Sequence, residues 1–320
     1  MTTIEHRNLG TSGLRVSTIG LGCNNFGRAG TVTETQRGTD AVIHAAIDAG
    51  VTLLDGADIY GAQRGQSETL MGNALKGKRD QVVLATKFGM DMEGANGPDW
   101  GARGSRRYIR LAVEASLRRL QTDWIDLYQL HAPDPNTPIE ETLSALDDLV
   151  REGKVRYLGH SNLAGWQIAE AELTATLGGF EHFVSSQNEY SLLARGVERE
   201  VLPAVKQYGL GFLPYFPLFN GILTGKYTRA GGPADARVTK LKPELMAKTD
   251  WDRMEAYQSF CDARGIPMLH ATFGWLLAQP GLSSVIAGAT TPEQVQQNAE
   301  AATAWEPGDA DLAELTAIFD

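Results

Sequence analysis

Two cysteines in 320 residues, Cys23 and Cys261, stand far apart and in no metal or redox spacing. That argues against a disulfide scaffold or a cysteine-based metal site. It suits a reducing compartment, with both thiols buried and free. No uncharged apolar run reaches membrane-spanning length, and the opening MTTIEHRNLG shows no basic-then-apolar signal pattern. The expectation is a cytoplasmic protein with no membrane partner. Basic residues are in deficit, 29 Lys and Arg against 39 Asp and Glu, for a formal net charge of -10. A general nucleic-acid binder needs a basic patch, so no nucleic-acid partner is expected. A small anionic ligand held by a few local cations remains compatible. No GxGxxG follows the first strand-like run, which removes the usual Rossmann nucleation point.

What is present is an ample core: 42% of residues are hydrophobic and 21% charged, as in globular domains. Short apolar runs alternate with amphipathic helical stretches along the chain. The runs are STIGLG (17–22), VTLLD (51–55), VVLATK (82–87), WIDLYQLH (124–131), VRYLGHSN (155–162), HFVSSQNEY (182–190), GFLPYFPL (211–218) and SSVIAGA (283–289). Between them, segments such as TDAVIHAAIDAG, YIRLAVEASLRRL, IEETLSALDDLVREG and RMEAYQSFCDARG carry helical periodicity. Gly50, Gly153, Gly209 and Gly265 stand where left-handed C-terminal caps are expected. Strands separated by helices imply βαβ crossovers and a parallel sheet. Eight such runs point to an α/β fold, a closed (β/α)8 TIM barrel, with a doubly wound sheet as the alternative. HRNLGTSGLRVS reads as an N-terminal β-hairpin turning at TSG, and DADLAELTAIF as an extra C-terminal helix. No linker, repeat or low-complexity segment interrupts residues 1–320, so a single domain is expected.

The stretch VTLLDGADIYG (51–61) begins as a buried strand and ends in carboxylates and a phenol. In a parallel barrel every strand C-terminus meets at one rim, where sites are built. The rim then holds Asp55 and Tyr60 after the second strand, Lys87 after the third and His131 after the fourth. Ser161 and Asn162 follow the fifth, Gln187 and Asn188 the sixth, and Tyr215 lies in the seventh. Taken singly, Asp55 reads as a loop cap, Tyr60 as a packing aromatic and His131 as a core histidine. Lys87 after VVLAT is harder to explain structurally, because a buried unpaired lysine is costly. Together they suggest an acid in a positive field. Tyrosine has a pKa near 10, an adjacent ammonium lowers it, and Asp55 holds that ammonium in place. His131 can donate to a substrate oxygen or help share the proton. Such a group protonates a carbonyl oxygen as hydride reaches the carbon. None of the four is an acyl-transfer nucleophile with its own base, and Asp58 reads as structural.

Asp55-Gly-Ala-Asp-Ile-Tyr60-Gly, Lys87, His131, the GxSN of 159–162, Gln187 and the run PLFNGILTGKY (217–227) resemble the aldo-keto reductases in order and spacing. The resemblance extends from HRNLGTSGLRVSTIGLG to SVIAGATTPEQVQQN and is nearest to the bacterial branch related to potassium-channel β subunits. It implies catalytic residues Asp55, Tyr60, Lys87 and His131, with Tyr60 as proton donor and no metal. It also implies NADP(H), with NAD(H) as second candidate. Ser161, Asn162 and Gln187 would hold the carboxamide. Tyr215 would stack on the nicotinamide, beside Phe216 where serine is common. Leu218, Gly221 and Lys226 would wrap the pyrophosphate, with Arg237 as a further cation. Gly288, Thr290, Gln294 and Asn298 would serve the adenosine end, at a helix N-terminus suited to an anion. The sequence departs from the family pattern at Gly56, in place of Thr or Ser, and at His160, in place of a small apolar residue that a core role would explain. It departs again at Gln294, where the aldose-reductase branch carries arginine. The implied function is reduction of small aldehydes or ketones to alcohols. A slow or inactive NADPH-sensing regulatory subunit is the alternative; a long N-terminal segment able to act on a partner would favour it, and the sequence shows none. A carboxylate hydrolase leaves Lys87 and Tyr60 unexplained. Residues 89–101 and Phe219–Asn220 are expected to wall the substrate pocket, with Trp100 as a contact or a loop anchor. Substrate identity and oligomeric state are not legible, monomer being the default.

Overall fold

The computed structural model describes residues 4–234 and 236–320, with the side chains of Arg237 and Leu241 outside the described set. Two short strands, β1 (His6–Asn8) and β2 (Arg15–Ser17), pair antiparallel as the expected hairpin, joined by residues 9–14. Eight strands then run parallel: β3 (Ile19–Gly22), β4 (Leu53–Asp55), β5 (Val83–Phe88), β6 (Ile125–Leu130), β7 (Val155–Ser161), β8 (Phe183–Gln187), β9 (Gly211–Phe212) and β10 (Val285–Gly288). Their order is β10-β3-β4-β5-β6-β7-β8-β9. The remaining seam is bridged: Phe212 pairs with Leu282, Ser283 N donates to Phe212 O at 3.0 Å, and Ile286 N donates to Pro214 O at 3.0 Å. The sheet closes on itself.

Two strands fall furthest short of the apolar runs that announced them. The seventh run, 211–218, yields only β9, because Pro214 and Pro217 have no N–H to give a ladder. The sixth run stops pairing regularly at Gln187, with Glu189 and Tyr215 joined by an isolated bridge. Both shortfalls lie at the rim and leave loop where a cavity opens.

The helices are α1 (Gln36–Asp48), α2 (Gln66–Ala74), α3 (Arg106–Leu120), α4 (Ile139–Arg151), α5 (Gly165–Gly178) and α6 (Val201–Tyr208). After β9 come α7 (Arg237–Leu241), α8 (Pro243–Lys248), α9 (Trp251–Arg264) and α10 (Met268–Leu277), and after β10 α11 (Pro292–Ala304) and α12 (Asp309–Phe319). Several begin where side-chain oxygens accept from the first turn: Thr35 from Gly38 N, Ser105 from Tyr108 N, Asp250 from Arg253 N and Thr291 from Gln294 N. Each such cap contributes about 1 kcal/mol. The extra helix α12 packs on α9 through an edge-on Tyr257–Phe319 contact at 5.2 Å. Among the described residues no helix is long and apolar enough to cross a membrane.

Strand periodicity sorts the core in two. Leu54, Leu84, Tyr128 and Leu130 face the helical layer, while Leu53, Ala85, Leu127 and Ile286 fill the barrel interior. Leu9 and Val16 of the hairpin segment are fully buried in that inner cluster and plug the N-terminal mouth. At about 25 cal/mol per Å² of apolar surface, each buried leucine contributes about 1.5–3 kcal/mol. The large cavity lies at the other end, among the strand C-termini.

Candidate active site

On the inner face, one step of two residues above the apolar plug carries three strands from apolar to polar side chains. Leu53 is followed by Asp55, Ala85 by Lys87, and Leu127 by Gln129. Lys87 Nζ donates to Asp55 Oδ1 and Oδ2 at 2.7 and 2.8 Å and to Gly56 O at 2.8 Å. Asp55 Oδ1 also accepts from Gln129 Nε2 at 3.2 Å and Gln187 Nε2 at 3.0 Å. Lys87 is fully buried and Asp55 nearly so. The register sets Lys87 beside Gln129 and Gln129 beside Gly159. A Cβ at Gly159 would lie 2.4 Å from Ser185 Oγ and 3.0 Å from Gln129 Cγ, so a side chain there would push aside the amide that holds Asp55.

Tyr60 and His131 stand over this pair. Lys87 Nζ lies 5.4 Å from the Tyr60 ring centroid, and the His131 ring meets Tyr60 edge-on at 5.9 Å. Burial raises the Tyr60 pKa, Lys87 lowers it, Asp55 raises it again, and the balance stands above the ordinary tyrosine value. The sequence reading expected a lowered phenol. It took the ammonium into account but not the desolvation that outweighs it. Burial pulls the Lys87 ammonium down, but Asp55 and Tyr60 more than offset this and hold it above its usual value. His131 is pushed down to about 3, first by burial and then by Lys87. At neutral pH its imidazole is therefore uncharged. In that state it can donate a hydrogen bond to an oxygen placed in the cavity.

A cavity of about 1380 Å³ runs from Asp55, Tyr60 and His131 past Tyr215 and Lys226 to Asn298 and Glu300. Ser161, Asn162, Gln187, Phe216, Leu218, Gly221, Gly288, Thr290 and Gln294 all line it. The side chain of Arg237 lies outside the described residues. Hydrogen bonds stiffen one wall. Tyr215 OH donates to Asn162 Oδ1 at 2.9 Å, Asn162 Nδ2 donates to His131 O and Ser161 Oγ at 3.0 Å, and Ser161 Oγ donates to Gln187 O at 2.7 Å. Asn162 takes φ 62°, a left-handed turn that asparagine tolerates. Beyond it, Phe216, Phe219 and Asn220 also have positive φ (52°, 44° and 59°), and Gly221 continues at 97°. Such backbone costs of order 1–3 kcal/mol per residue and persists only where the surroundings hold it. At the far end, Thr290 N and Oγ1 both donate to Gln294 Oε1, at 2.8 and 3.1 Å.

A profile of the aldo/keto reductase family matches residues 18–320. An uncharacterized oxidoreductase YrpG of Bacillus subtilis is 38% identical, the match covering 93% of this chain and 91% of that protein. A probable voltage-gated potassium channel subunit beta of Oryza sativa is 34% identical, over 93% and 91%. L-Glyceraldehyde 3-phosphate reductase of Escherichia coli O157:H7 is 32% identical, over 93% and 87%. The chain belongs to the aldo/keto reductase family. It is an oxidoreductase of that family.

This aldo/keto reductase site includes residues that strand ends alone did not reveal. Gln129 lies inside the apolar run IDLYQL, two residues before the rim, where a fully buried amide is itself the signal. Arg28, Asn25, His270 and Glu300 line the cavity from loops and helices whose course is not legible in sequence. Two expectations need correction. No residue of 89–101 lines the cavity among those described; Trp100 is 78% exposed and stacks on Arg107, whose guanidinium carbon lies 3.9 Å from its ring. Of Phe219–Asn220, only Asn220 reaches the cavity, since Phe219 packs against the core. His160 is fully buried, edge-on to Phe183 at 5.1 Å and away from the cavity lining.

Proposed function

We propose that the protein is an NADP(H)-dependent reductase of small aldehydes and ketones, with Tyr60 as proton donor and His131 as the neutral group that orients the carbonyl. The observation that carries this reading is the buried Lys87–Asp55 pair set directly beneath Tyr60, with an uncharged imidazole across from it. The raised Tyr60 pKa keeps the phenol protonated at rest. Lys87 steadies the phenolate that forms once the proton has left, and Asp55, held by two glutamines, keeps the ammonium charged and fixed. A nicotinamide would supply the hydride.

The residues present fit such a cofactor. Tyr215 is anchored through its hydroxyl and half-buried, so its ring can serve as a stacking wall. Asn220 Oδ1 and His131 Nδ1 are buried with no hydrogen-bond partner among the described residues. Ser161, Asn162 and Gln187 would meet the carboxamide. Leu218, Gly221 and Lys226 would hold the diphosphate, and Thr290, Gln294 and Asn298 the adenosine end, with Arg237 the further cation. Gln294 is neutral and Glu300 shares that end of the cavity, so the preference for NADPH over NADH should be modest. A relative named for reducing a phosphorylated aldehyde supports a small carbonyl as substrate.

The test is steady-state oxidation of NADPH against a carbonyl panel, with dissociation constants for NADPH and NADH. Lys226→Ala should lose about 1.5–3 kcal/mol of NADPH affinity, the scale of a hydrogen bond to a charged group. Equal affinities of the wild type for the two nucleotides would sink the NADPH assignment. Tight binding without turnover on any carbonyl would replace the enzyme by a nucleotide-sensing subunit.

A further inference from the structure

Arg28 belongs to the loop that leaves β3, and it lines the same cavity as Tyr60 and His131. It is half-buried, and among the described residues its guanidinium makes a single hydrogen bond, Nη2 to Asn24 O at 3.2 Å. No carboxylate lies within 4.0 Å of it among the described residues, whereas Arg103, Arg106, Arg110, Arg119, Arg195 and Arg264 all have one. The loop is held against the Tyr60 segment: Ala62 N donates to Gly27 O at 3.0 Å, and the Gln66 side chain packs where a Cβ of Gly27 would stand. Its other N–H groups have no acceptor among the described residues, and the residue lines the cavity. A half-buried guanidinium with donors to spare can take an oxyanion through charge-assisted hydrogen bonds. Burial pulls the Arg28 pKa down, and the titratable neighbour whose charge it senses is Tyr60. Lys87, the other cation at this end, is already spent on Asp55.

We infer that Arg28 is a specificity-determining residue that binds an anionic group on the substrate, so that the natural substrate is a small carbonyl compound carrying a phosphate or carboxylate. This rests on the proposed reductase reading and adds the substrate class. The planar guanidinium fork suits either oxyanion in a bidentate pose, and placing it near the proton donor orients the carbonyl end toward Tyr60.

Three aldehydes of like length, ending in phosphate, carboxylate or hydroxymethyl, separate the cases. Wild type should show a higher kcat/KM for one or both anionic aldehydes than for the neutral one. In Arg28→Gln the anionic-to-neutral ratio should fall about 10- to 100-fold, as expected for a lost charge-assisted contact. Arg28→Lys should restore part of it. Which anionic arm loses more identifies phosphate or carboxylate. The corresponding unreactive alcohols, followed by ligand-observed NMR, should bind wild type in the same order and lose that order in Arg28→Gln. Binding without turnover on any aldehyde would keep the Arg28 assignment and overturn the reductase reading. An unchanged ratio in Arg28→Gln, or nucleotide dissociation constants that weaken in step with the ratio, would overturn the assignment itself; in the latter case Arg28 serves the cofactor's phosphates.

Discussion

Asp55 and Asp58 are three residues apart, both buried, and they serve two different ionic clusters on opposite sides of the same strand end. Inside the barrel, Asp55 meets one ammonium and two amide donors, and Lys87 meets three oxygens. Charge is matched there and every lysine donor is used. Outside, toward α2 and α3, Asp58 Oδ2 accepts from Asn96 Nδ2 at 2.8 Å. Glu68 accepts from Thr86 Oγ1 at 2.6 Å and from Arg119 Nε at 2.7 Å. The one guanidinium, Arg119, is paired with Glu68 and acts on Asp58 only at longer range, and Asp58 Oδ1, Asn96 Oδ1, Arg119 Nη2 and Tyr128 OH have no partner among the described residues. The inner cluster is balanced, as the proposed proton transfer above it requires. The outer one is satisfied only if a carboxyl group gives up its charge, and its backbone role shows in Asp58 N donating to Lys87 O at 3.1 Å. Similar residues with different surroundings yield a charge-matched pair at the cavity floor and a brace behind it.

The sharpest way to break this contrast is at the top of the inner cluster. Tyr60→Phe removes only the hydroxyl and should lower carbonyl reduction by about 10²–10⁴-fold, the range of positioned proton transfer. Nucleotide affinity should stay close to wild type, because the ring and its contacts remain. Near-normal turnover would exclude Tyr60 as the donor. Loss of nucleotide binding would show that the site itself had been disturbed.

Lys87→Met tests the balance beneath. It leaves Asp55 buried with only amide donors, and breaking a buried pair in this way costs about 3–5 kcal/mol. A lower unfolding midpoint in urea should therefore accompany the loss of turnover. The remaining influences on Tyr60, burial and Asp55, both raise its pKa, so removing the one that lowers it moves the phenol higher still. In the alcohol-oxidation direction, where the phenolate is the base, the alkaline rise in rate should shift to higher pH. An unshifted profile with unchanged stability would mean that Lys87 and Tyr60 are not coupled.

Much of the inner cluster was legible because a strand has period two and a barrel has one open rim. Leu53 and Asp55, or Ala85 and Lys87, need only that rule to be placed on one face with the charged member uppermost. The outer cluster was not legible. Asp58, Glu68, Asn96 and Arg119 come from a loop, two helices and a second loop, and no period links them. The sign of the Tyr60 shift was misjudged for a related reason, since sequence names the neighbouring charge but does not measure burial. β9 shrank because two prolines outrank an apolar pattern. The helix α10, MLHATFGWLL, is apolar on nearly every face and offers no stripe by which to recognise it. Arg28 reached the site on a loop whose course only the fold defines.

The smallest expected effect belongs to the outer cluster and has the opposite sign. Burial raises the Asp58 pKa well above the ordinary aspartate value, Glu68 raises it further, and Arg119 and Asn96 oppose this only in part. A carboxyl group whose folded pKa is raised holds its proton more tightly in the folded state. Its contribution is fully present below the unfolded value, near 4, and is lost as pH rises through the folded value. Wild-type stability should therefore decline over the range that begins near pH 4. Asp58→Asn keeps the oxygen that accepts from Asn96 and cannot ionise. It should abolish that part of the decline, so the variant's advantage over wild type should grow as pH rises. At neutral pH the gain should reach about 1–3 kcal/mol, the cost of one buried polar group left unsatisfied. Turnover should change little, since the Lys87–Asp55 pair is untouched. The measurement is urea unfolding of both proteins between pH 4 and 8. Parallel stability curves would show that Asp58 is not held protonated. A variant that unfolds more readily at neutral pH would mean that Arg119 stabilises an ionised Asp58, and the two clusters would then differ in position but not in kind.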